Sequence, residues 1–458
     1  MKVLLLTIDA WRASRASFVP DAVGDHTPNL ARLAEDGIVF TEGVSHGPAT
    51  PYAFPSVFTS TLPLDHGGYE RLSEDRTLVS EVLGRAGWRS VGVHANPWLG
   101  EKYGYGRGYT EYRDVGEFGL PGLEPAREFL LDNFSLDHPV YRAAQYVYRY
   151  VQKPLRAVTG DAAEIEVARE ALEEADDEAF VWTHLLEPHA PYTPPKRHRE
   201  AVGVPAVDAS PAQLVTRAQH EPESFTERER EVVRGLYTAS VRHADEKAGI
   251  LLESVDDDTL VIVTADHGEA LFEHGQVGHE PNLHDELIHV PFLIRPPRGA
   301  DDEREAGTNE HPETVDTQAR HIDIAPTILD YAGVDPPASY RGRSLRPTIE
   351  GDDLDEEPAI SEVASTPTEP GRLAPDALQV AVRTPQRKLI HADGAIEGFD
   401  RRDDPGECDP IGEPAGEEWD ALRAALDDRL AAIEIADTNA AERDEDVQQR
   451  LRDLGYID

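Results

Sequence analysis

Short apolar runs alternate with amphipathic stretches over the first two-thirds of the chain. The continuous apolar runs lie at residues 3–8, 90–93, 179–183 and 260–264. Runs of this length, without polar alternation, are typical of parallel strands buried on both faces. Helical periodicity separates them, at residues 27–36, 78–86 and 228–254. The alternation predicts an α/β fold with a large, mainly parallel sheet and helices on both faces.

The pattern changes after about residue 350. Acid and proline clusters surround two strand-like pieces at 378–383 and 388–392, and a helical stripe follows at 417–435. A last helix is predicted at 445–454. We therefore expect a large α/β domain over residues 1–349 and a small C-terminal α+β subdomain, an antiparallel sheet with helices, over residues 350–458.

Polar side chains follow each of the four apolar runs. Asp9 follows the first, His94 and Asn96 the second, His184, Glu187 and His189 the third, and Asp266 and His267 the fourth. In open α/β sheets, ligand sites lie outside the carboxyl ends of the strands. The sequence thus places metal-capable groups from four strands at one edge of the sheet.

Asp266 and His267 offer an oxygen and a nitrogen ligand for a divalent cation, and the apolar run before them argues against a simple turn. Asp9 is a hard oxygen donor at a strand tip, but it could equally cap the following helix.

Histidines in two further segments are candidates for the same edge. In WTHLLEPHAPYTPP the prolines restrict the backbone around His189, which could donate a proton to a leaving oxygen or bind an anion. His184 in that segment is interpreted as a core histidine. His279 follows a glycine-rich turn and can reach the same edge, whereas His284 and His289 are as readily structural.

The net charge of the chain excludes some classes of binding partner. The chain has 88 acidic and 44 basic residues, a formal net charge of −44, and only six of the basic residues are lysines. Such a chain repels nucleic acid and anionic membranes. Acid spread along the whole chain fits a halophilic surface, with an ordinary acidic cytosolic protein as the alternative.

Cys408 is the only cysteine, which excludes an intrachain disulfide and a cysteine-rich zinc site. The N-terminal apolar run is too short for a membrane span and lacks a cleavage site. We therefore expect a cytoplasmic protein.

Several longer pieces of the chain resemble, in order, the sulfatase family of the alkaline phosphatase superfamily. They include LLLTIDAWRAS, TPNLARLAEDGIVF, LLEPHAPYTPP, VTADHGEALFEHGQVGHE and HIDIAPTILDYAGVDPP, and the matching pieces span residues 3–345. The resemblance implies a hydrolase of sulfate or phosphate esters, acting on a small-molecule or glycan ester.

The resemblance also implies one divalent cation, Ca, Mn, Mg or Zn, with Asp9, Asp266 and His267 as ligands. Many family members have a second acidic residue beside the first, and here that position is Ala10. His189 and His279 would contact the sulfuryl or phosphoryl group, and His189 is the better candidate for the general acid.

The nucleophile departs from the family pattern. Sulfatases carry Cys-x-Pro-Ser-Arg, whose cysteine becomes formylglycine, and phosphodiesterase relatives have Thr or Ser there. Alignment on Pro55 and Ser56 puts Ala53 at that position, so no formylglycine is expected. Three alternatives stay open: attack by the hydroxyl of Thr50 or Ser56, attack by metal-bound water, or binding without turnover. Ser56 is interpreted rather as the cap of a helix that begins near Val57.

The sequence therefore predicts a metal-dependent sulfate-ester hydrolase with Thr50, His189 and His279 as catalytic candidates. The first alternative is a phosphodiesterase or phosphonate-ester hydrolase of the same superfamily. The second is a non-catalytic binder of sulfated or phosphorylated glycans. A turn with Tyr103, Tyr105 and Tyr109 could line a glycan subsite, although surface tyrosines are commoner.

Overall fold

A computed structural model of the chain describes residues 1–69, 71–115, 163–175, 178–207, 209–298, 313–364 and 378–433. The strands in these ranges are β1 (Lys2–Ile8), β2 (Ile38–Phe40), β3 (Gly43–Val44), β4 (Arg89–His94), β5 (Glu111–Asp114), β6 (Ala179–Leu185), β7 (Thr259–Ala265), β8 (Ala270–Leu271), β9 (Val277–Gly278), β10 (Phe292–Arg295), β11 (Glu313–Val315), β12 (Ala319–Arg320), β13 (Ala359–Ala364), β14 (Leu378–Arg383), β15 (Arg387–Ala392) and β16 (Ala395–Asp400).

The α-helices in the same ranges are α1 (Pro28–Ala34), α2 (Thr50–Thr59), α3 (Val79–Arg85), α4 (Ala163–Glu174), α5 (Lys196–Val202), α6 (Pro211–His220), α7 (Glu227–Leu252), α8 (Asp285–Ile288), α9 (His321–Tyr331), α10 (Arg346–Ile349) and α11 (Glu417–Ala432). The helix predicted at 445–454 lies outside the described residues.

Eight strands form one large sheet in the order β11-β2-β10-β7-β1-β6-β4-β5. β1 lies in its interior and pairs in parallel with β6 and β7, while β10 runs antiparallel to its neighbours. Leu4 and Leu6 of β1 belong to the core on one face of the sheet, and Val3 and Leu5 to the core on the other. Burial on both faces is why this strand reads as an unbroken apolar run, and the α/β prediction is confirmed.

A second, antiparallel sheet joins β13, β14, β15 and β16 in sequence order. One face packs on α11 through Trp419, Leu422 and Leu426. The other face packs on the large domain, where Ile390 and Phe399 share a core with Tyr52 and Leu64. The prediction of a small C-terminal antiparallel sheet with a helix is confirmed.

Several local expectations were wrong. α2 begins at Thr50, not near Val57, so Ser56 lies inside the helix and its hydroxyl donates to the Thr61 carbonyl at 2.9 Å instead of capping. Tyr103 and Tyr105 are fully buried core residues and line neither a surface nor a sugar subsite.

Within the described residues, no helix is both long and apolar enough to cross a membrane.

Candidate active site

The carboxyl ends of the three central strands converge on one buried cluster. Asp9 follows β1, His184 belongs to the end of β6 and Asp266 follows β7, and all three side chains are fully buried. One ligand-capable atom from each lies within 4.8 Å of the other two. The parallel register of β1 with both neighbours brings residues distant in sequence to the same level.

The backbone turns sharply directly after Asp9. Ala10 has a φ of +54°, in the left-handed region that costs a non-glycine residue of order 1 kcal/mol or more. Two hydrogen bonds hold this conformation. The Ala10 amide donates to Asp266 Oδ1 at 3.2 Å, and its carbonyl accepts from the Tyr237 hydroxyl at 2.8 Å. The strained turn therefore ties the two candidate carboxylate ligands together.

His267 is oriented as a metal ligand would be. Its Nδ1 lies 2.7 Å from the Gly268 carbonyl oxygen, which can only accept, so Nδ1 carries a proton. Its Nε2 then faces Asp9 Oδ1 at 3.4 Å and Asp266 Oδ2 at 3.7 Å. A backbone carbonyl that fixes the tautomer in this way is the usual partner of a metal-binding histidine.

Two like charges, the carboxylates of Asp9 and Asp266, lie close together in the cluster. Burial and the neighbouring Asp9 carboxylate raise the pKa of Asp266 above its ordinary value. Burial lowers the pKa of His267, but Asp266 and Asp9 outweigh it and raise the pKa to about 9. Asp266 pairs with no Lys or Arg side chain among the described residues. Two buried carboxylates and a directed imidazole nitrogen fit a divalent cation.

Thr50 brings a hydroxyl into this cluster. Its Oγ1 donates to Asp266 Oδ2 at 2.8 Å and accepts from the Asn96 side-chain amide at 3.3 Å. The same amide donates to Asp9 Oδ2 at 3.0 Å, and the Trp98 backbone N–H holds Asn96 Oδ1 at 3.0 Å. Ala53 lies three residues further along α2 and carries only a methyl group. The Thr50 hydroxyl is thus in direct contact with the side chain of a candidate ligand.

A second group of side chains borders the cluster. The rings of His267 and His279 have centroids 4.6 Å apart, and those of His279 and His189 4.9 Å. His279 Nδ1 lies 2.8 Å from Glu269 Oε2, and the other oxygen of this fully buried carboxylate accepts from the Tyr192 hydroxyl at 2.5 Å. Glu269 therefore fixes the orientation of His279.

A backbone carbonyl also orients His189. Its Nδ1 donates to the Ala190 carbonyl at 2.6 Å, so Nε2 is the nitrogen that can exchange a proton with a substrate. Burial lowers the pKa of His189, and the Asp9 carboxylate works against that shift. Two residues earlier, Glu187 is anchored by the buried Lys247, at 2.9 Å, which also binds Glu164 at 2.8 Å.

The structure brings together every site residue chosen from the sequence: Asp9, Thr50, His189, Asp266, His267 and His279. Sequence reasoning put Asn96 at the strand edge without choosing it as a site residue, assigned no role to Glu269 or Tyr192, and interpreted His184 as a core histidine. The position of Asn96 after β4 was a usable signal. Glu269 stands in the quoted ADHGE motif, but nothing in the sequence shows that it would contact His279.

Comparison with known proteins places these residues in a family. Residues 2–334 match the sulfatase family, and residues 273–436 match the C-terminal region of N-sulphoglucosamine sulphohydrolase. An ulvan-active sulfatase of Formosa agariphila is 26% identical, covering 93% of this chain and 80% of the relative. A multifunctional alkaline phosphatase superfamily protein of Trinickia caryophylli is 26% identical over 76% of each chain.

A solved structure shares the fold. The phosphonate monoester hydrolase of Agrobacterium radiobacter superposes with a TM-score of 0.69 at 20% identity, covering 94% of this chain and 95% of that one.

Proposed function

This chain belongs to the sulfatase family, and from that premise we propose that it hydrolyses sulfate esters of sugars with the Thr50 hydroxyl as its nucleophile. The observation that carries the proposal is the position of Thr50 Oγ1, 2.8 Å from Asp266 and 3.3 Å from the Asn96 amide. The sugar substrate is suggested by the ulvan-active relative, which aligns over most of both chains.

Asp9, Asp266 and His267 would hold the divalent cation. Such a cation lowers the pKa of a hydroxyl bound to it and withdraws charge from the ester oxygens. The chain's own contribution is to position the nucleophile. The Asn96 amide donates to Thr50 Oγ1, which holds the oxygen in place and favours its charged form.

In the first step, Thr50 Oγ1 forms a bond to the ester sulfur as the bond between sulfur and the sugar oxygen breaks. The sugar oxygen takes a proton from His189 Nε2, and the Thr50 proton passes to Asp266, which it already faces at 2.8 Å. Burial lowers the pKa of His189, which makes its charged imidazolium a stronger acid.

In the second step, water attacks the sulfur of the threonine sulfate. His189, now neutral, takes a proton from this water, and the Thr50 oxygen leaves and regains its proton from Asp266. The product departs as hydrogensulfate, with the second proton of the water, and the side chains return to their starting states. His279, whose Nδ1 lies 2.8 Å from Glu269, would contact the sulfuryl oxygens.

A second candidate activity is hydrolysis of phosphate diesters or phosphonate esters. The specific observation in its favour is again the Thr50 hydroxyl, because phosphodiesterase relatives have Thr or Ser in place of the sulfatase cysteine. Cys408, the only cysteine of the chain, is exposed in the C-terminal region, where its backbone N–H donates to Asp404. We therefore propose catalysis without formylglycine for either substrate class.

The test is a set of initial rates in molar KCl on 4-nitrophenyl sulfate, 4-nitrophenyl phosphate, bis(4-nitrophenyl) phosphate and a panel of sulfated sugars. Each substrate is run with Mn, Mg or Ca and with EDTA. Thr50→Ala should lower kcat by at least about 10³-fold, whereas Thr50→Ser should keep most of the activity. Ser56→Ala should stay within about threefold of the wild type, because Ser56 binds the Thr61 carbonyl.

Ala53→Ser is the matched control for the family alignment. Placed in the Thr50→Ala background, it should not restore turnover. Restored turnover would move the nucleophile to position 53, and undiminished turnover by Thr50→Ala would indicate attack by water. Preference for the phosphorus esters would select the second candidate. Tight binding of a sulfated sugar by folded, metal-loaded protein without turnover would leave only the non-catalytic binder.

We also propose that the protein acts at high salt inside the cell. The net charge of −44 with six lysines makes the surface self-repelling at low ionic strength. The melting temperature should rise markedly between millimolar and molar KCl, and an unchanged value would contradict the proposal.

A further inference from the structure

His184 is a fully buried imidazole beside the candidate metal ligands. It lies at the end of β6, in register with Thr7 of the neighbouring β1. Its Nε2 is 3.2 Å from Asp9 Oδ2, and its Nδ1 is 3.0 Å from Thr7 Oγ1. Whether Nε2 donates to Asp9 or offers a lone pair depends on where the Thr7 hydroxyl sends its single proton.

The Thr7 hydroxyl sits among three partners. It accepts from the indole N–H of Trp182 at 3.1 Å, and its own proton can go to the Thr183 carbonyl at 3.3 Å. A carbonyl only accepts, so with the proton directed there, His184 Nδ1 must be the donor to Thr7 Oγ1. Nε2 is then unprotonated and directs its lone pair toward the Asp9 carboxylate.

This arrangement repeats that of His267. In both residues Nδ1 has an oxygen acceptor on the protein, Thr7 Oγ1 or the Gly268 carbonyl, while Nε2 faces a carboxylate. Two donor atoms bound to one cation at about 2.1 Å lie roughly 3.0–3.4 Å apart. The Nε2 atoms of His184 and His267 lie 3.2 Å and 3.4 Å from the two oxygens of Asp9, which matches that spacing.

The ligands chosen from the sequence also leave room for one more donor, which an imidazole nitrogen could supply. Ala10 follows Asp9 and has no donor in its side chain. The ligands chosen from the sequence are therefore three, Asp9, Asp266 and His267. One more ligand makes the four that transition metals commonly take from protein. His184 approaches the cluster from the other neighbour of β1.

We propose that His184 Nε2 is a direct ligand of the divalent cation, together with Asp9, Asp266 and His267. The inference rests on the proposed function only in that both need the same metal site. A set of two imidazoles and two carboxylates favours Mn, Zn or related transition metals over Ca and Mg. The alternative is that His184 donates from Nε2 to Asp9 and only positions that carboxylate.

The test counts nitrogens bonded to the metal. In electron–nuclear double resonance on the full chain loaded with Mn²⁺, the wild type should show two directly bonded imidazole nitrogens, and ¹⁵N-histidine labelling should replace both signals. His184→Gln and His267→Gln should each leave one. His94→Gln is the matched control, because His94 is the buried register partner of His184 on β4. It should leave two bonded nitrogens, since His94 is not one of the proposed ligands.

The metal preference gives a second readout. His184→Gln should lower the ratio of Mn²⁺ to Ca²⁺ affinity by at least about tenfold, because the nitrogen donor is what favours Mn²⁺. One bonded nitrogen in the wild type, unchanged in His184→Gln, would overturn the proposal. The wild-type count decides the question even if that variant does not fold. Thr50→Ala should lose turnover and keep both nitrogens, so failure of the proposed catalysis is distinguishable from failure of the ligand assignment.

Discussion

Two buried clusters of charged side chains differ in how their charge is balanced. In the first, at the carboxyl edge of the large sheet, Asp9 and Asp266 face the imidazoles of His184 and His267. We call the second the junction cluster. It joins the large domain to the C-terminal sheet and consists of Glu42, Asp285, Arg383, Lys388, Arg401 and Glu407.

The junction cluster holds its own cations. Lys388 Nζ, with no exposed surface, lies 2.9 Å from Asp285 and 2.8 Å from Glu407, and Arg401 lies 2.7 Å from Asp285. Burial raises the pKa of Asp285, but Arg383, Arg401 and Lys388 outweigh it and hold the pKa well below its ordinary value.

Asp266 is fully buried and Asp285 largely so, with 11% of its side chain exposed, yet the pKa of Asp266 moves the other way. Burial and Asp9 raise it, and among the described residues Asp266 has no Lys or Arg partner. The comparison shows that burial alone does not decide the state of a carboxylate. Where the chain supplies lysine and arginine, the cluster is structural. Where it supplies histidines, an external cation is the natural complement, and the cluster is available for chemistry.

The largest expected effect comes from removing one carboxylate of the first cluster. Asp266→Asn should abolish metal binding and lower kcat/KM by about 10³-fold or more, because metal stabilisation of the transition state is worth several kcal/mol. Measured in EDTA, its free energy of unfolding should equal or exceed that of the wild type, since the like-charge repulsion with Asp9 is relieved. Calorimetric titration with Mn²⁺ and denaturant unfolding in EDTA measure the two effects.

A large loss of stability for Asp266→Asn in EDTA would contradict the comparison, because it would mean that the carboxylate is satisfied by the chain itself. Glu413→Gln is the matched control: its partner Arg423 is at the surface, so neither metal binding nor stability should change.

A change in the junction cluster should lower the stability of the fold, whether or not metal is bound. Lys388→Met leaves Glu407 and Asp285 buried with one cation fewer, which should cost about 3–5 kcal/mol of unfolding free energy in the presence or absence of EDTA. Lys196→Met is the control, because Lys196 is exposed and its pair with Glu200 is at the surface. Adding Glu407→Gln to Lys388→Met should recover part of the loss. Denaturant midpoints in molar KCl measure the stability of each variant. A loss of unfolding free energy that appears only with metal bound would refute the distinction between the two clusters.

Much of the fold was predictable because the central strands are buried on both faces. β1, β4, β6 and β7 were found within two residues of their ends from apolar runs alone. The charged, proline-containing segment 201–230 shows no clear periodicity in the sequence, yet it contains α6, whose buried face is limited to Leu214, Val215 and Ala218. Three buried positions in ten give too little periodicity to predict a helix.

The site was predictable where strand ends determine it and not where side-chain partners do. Asp9, Asp266 and His267 follow from position, because parallel strands end at one edge. Thr50 was uncertain because alignment of Pro55 and Ser56 with the family motif put Ala53 at the nucleophile position, three residues further along the chain. The partners of Lys388 could not be read from a chain with 88 acidic residues, since only the tertiary fold selects among them.

A third kind of buried group, with neither cation nor carboxylate, gives the smallest effect. His46 donates from Nδ1 to the Ile360 carbonyl on β13, and burial lowers its pKa to about 3. The unfolded chain binds this proton near pH 6.5, so stability is complete above that pH and is lost as the pH falls toward 3. The loss should be about 2 kcal/mol at pH 5 relative to pH 7.5. His46→Gln should shrink the difference between unfolding midpoints at these two pH values, whereas the exposed His66→Gln should not. An equal pH dependence in His46→Gln and the wild type would show that this imidazole accepts its second proton without cost. Burial without a charged partner would then not be what keeps His46 neutral.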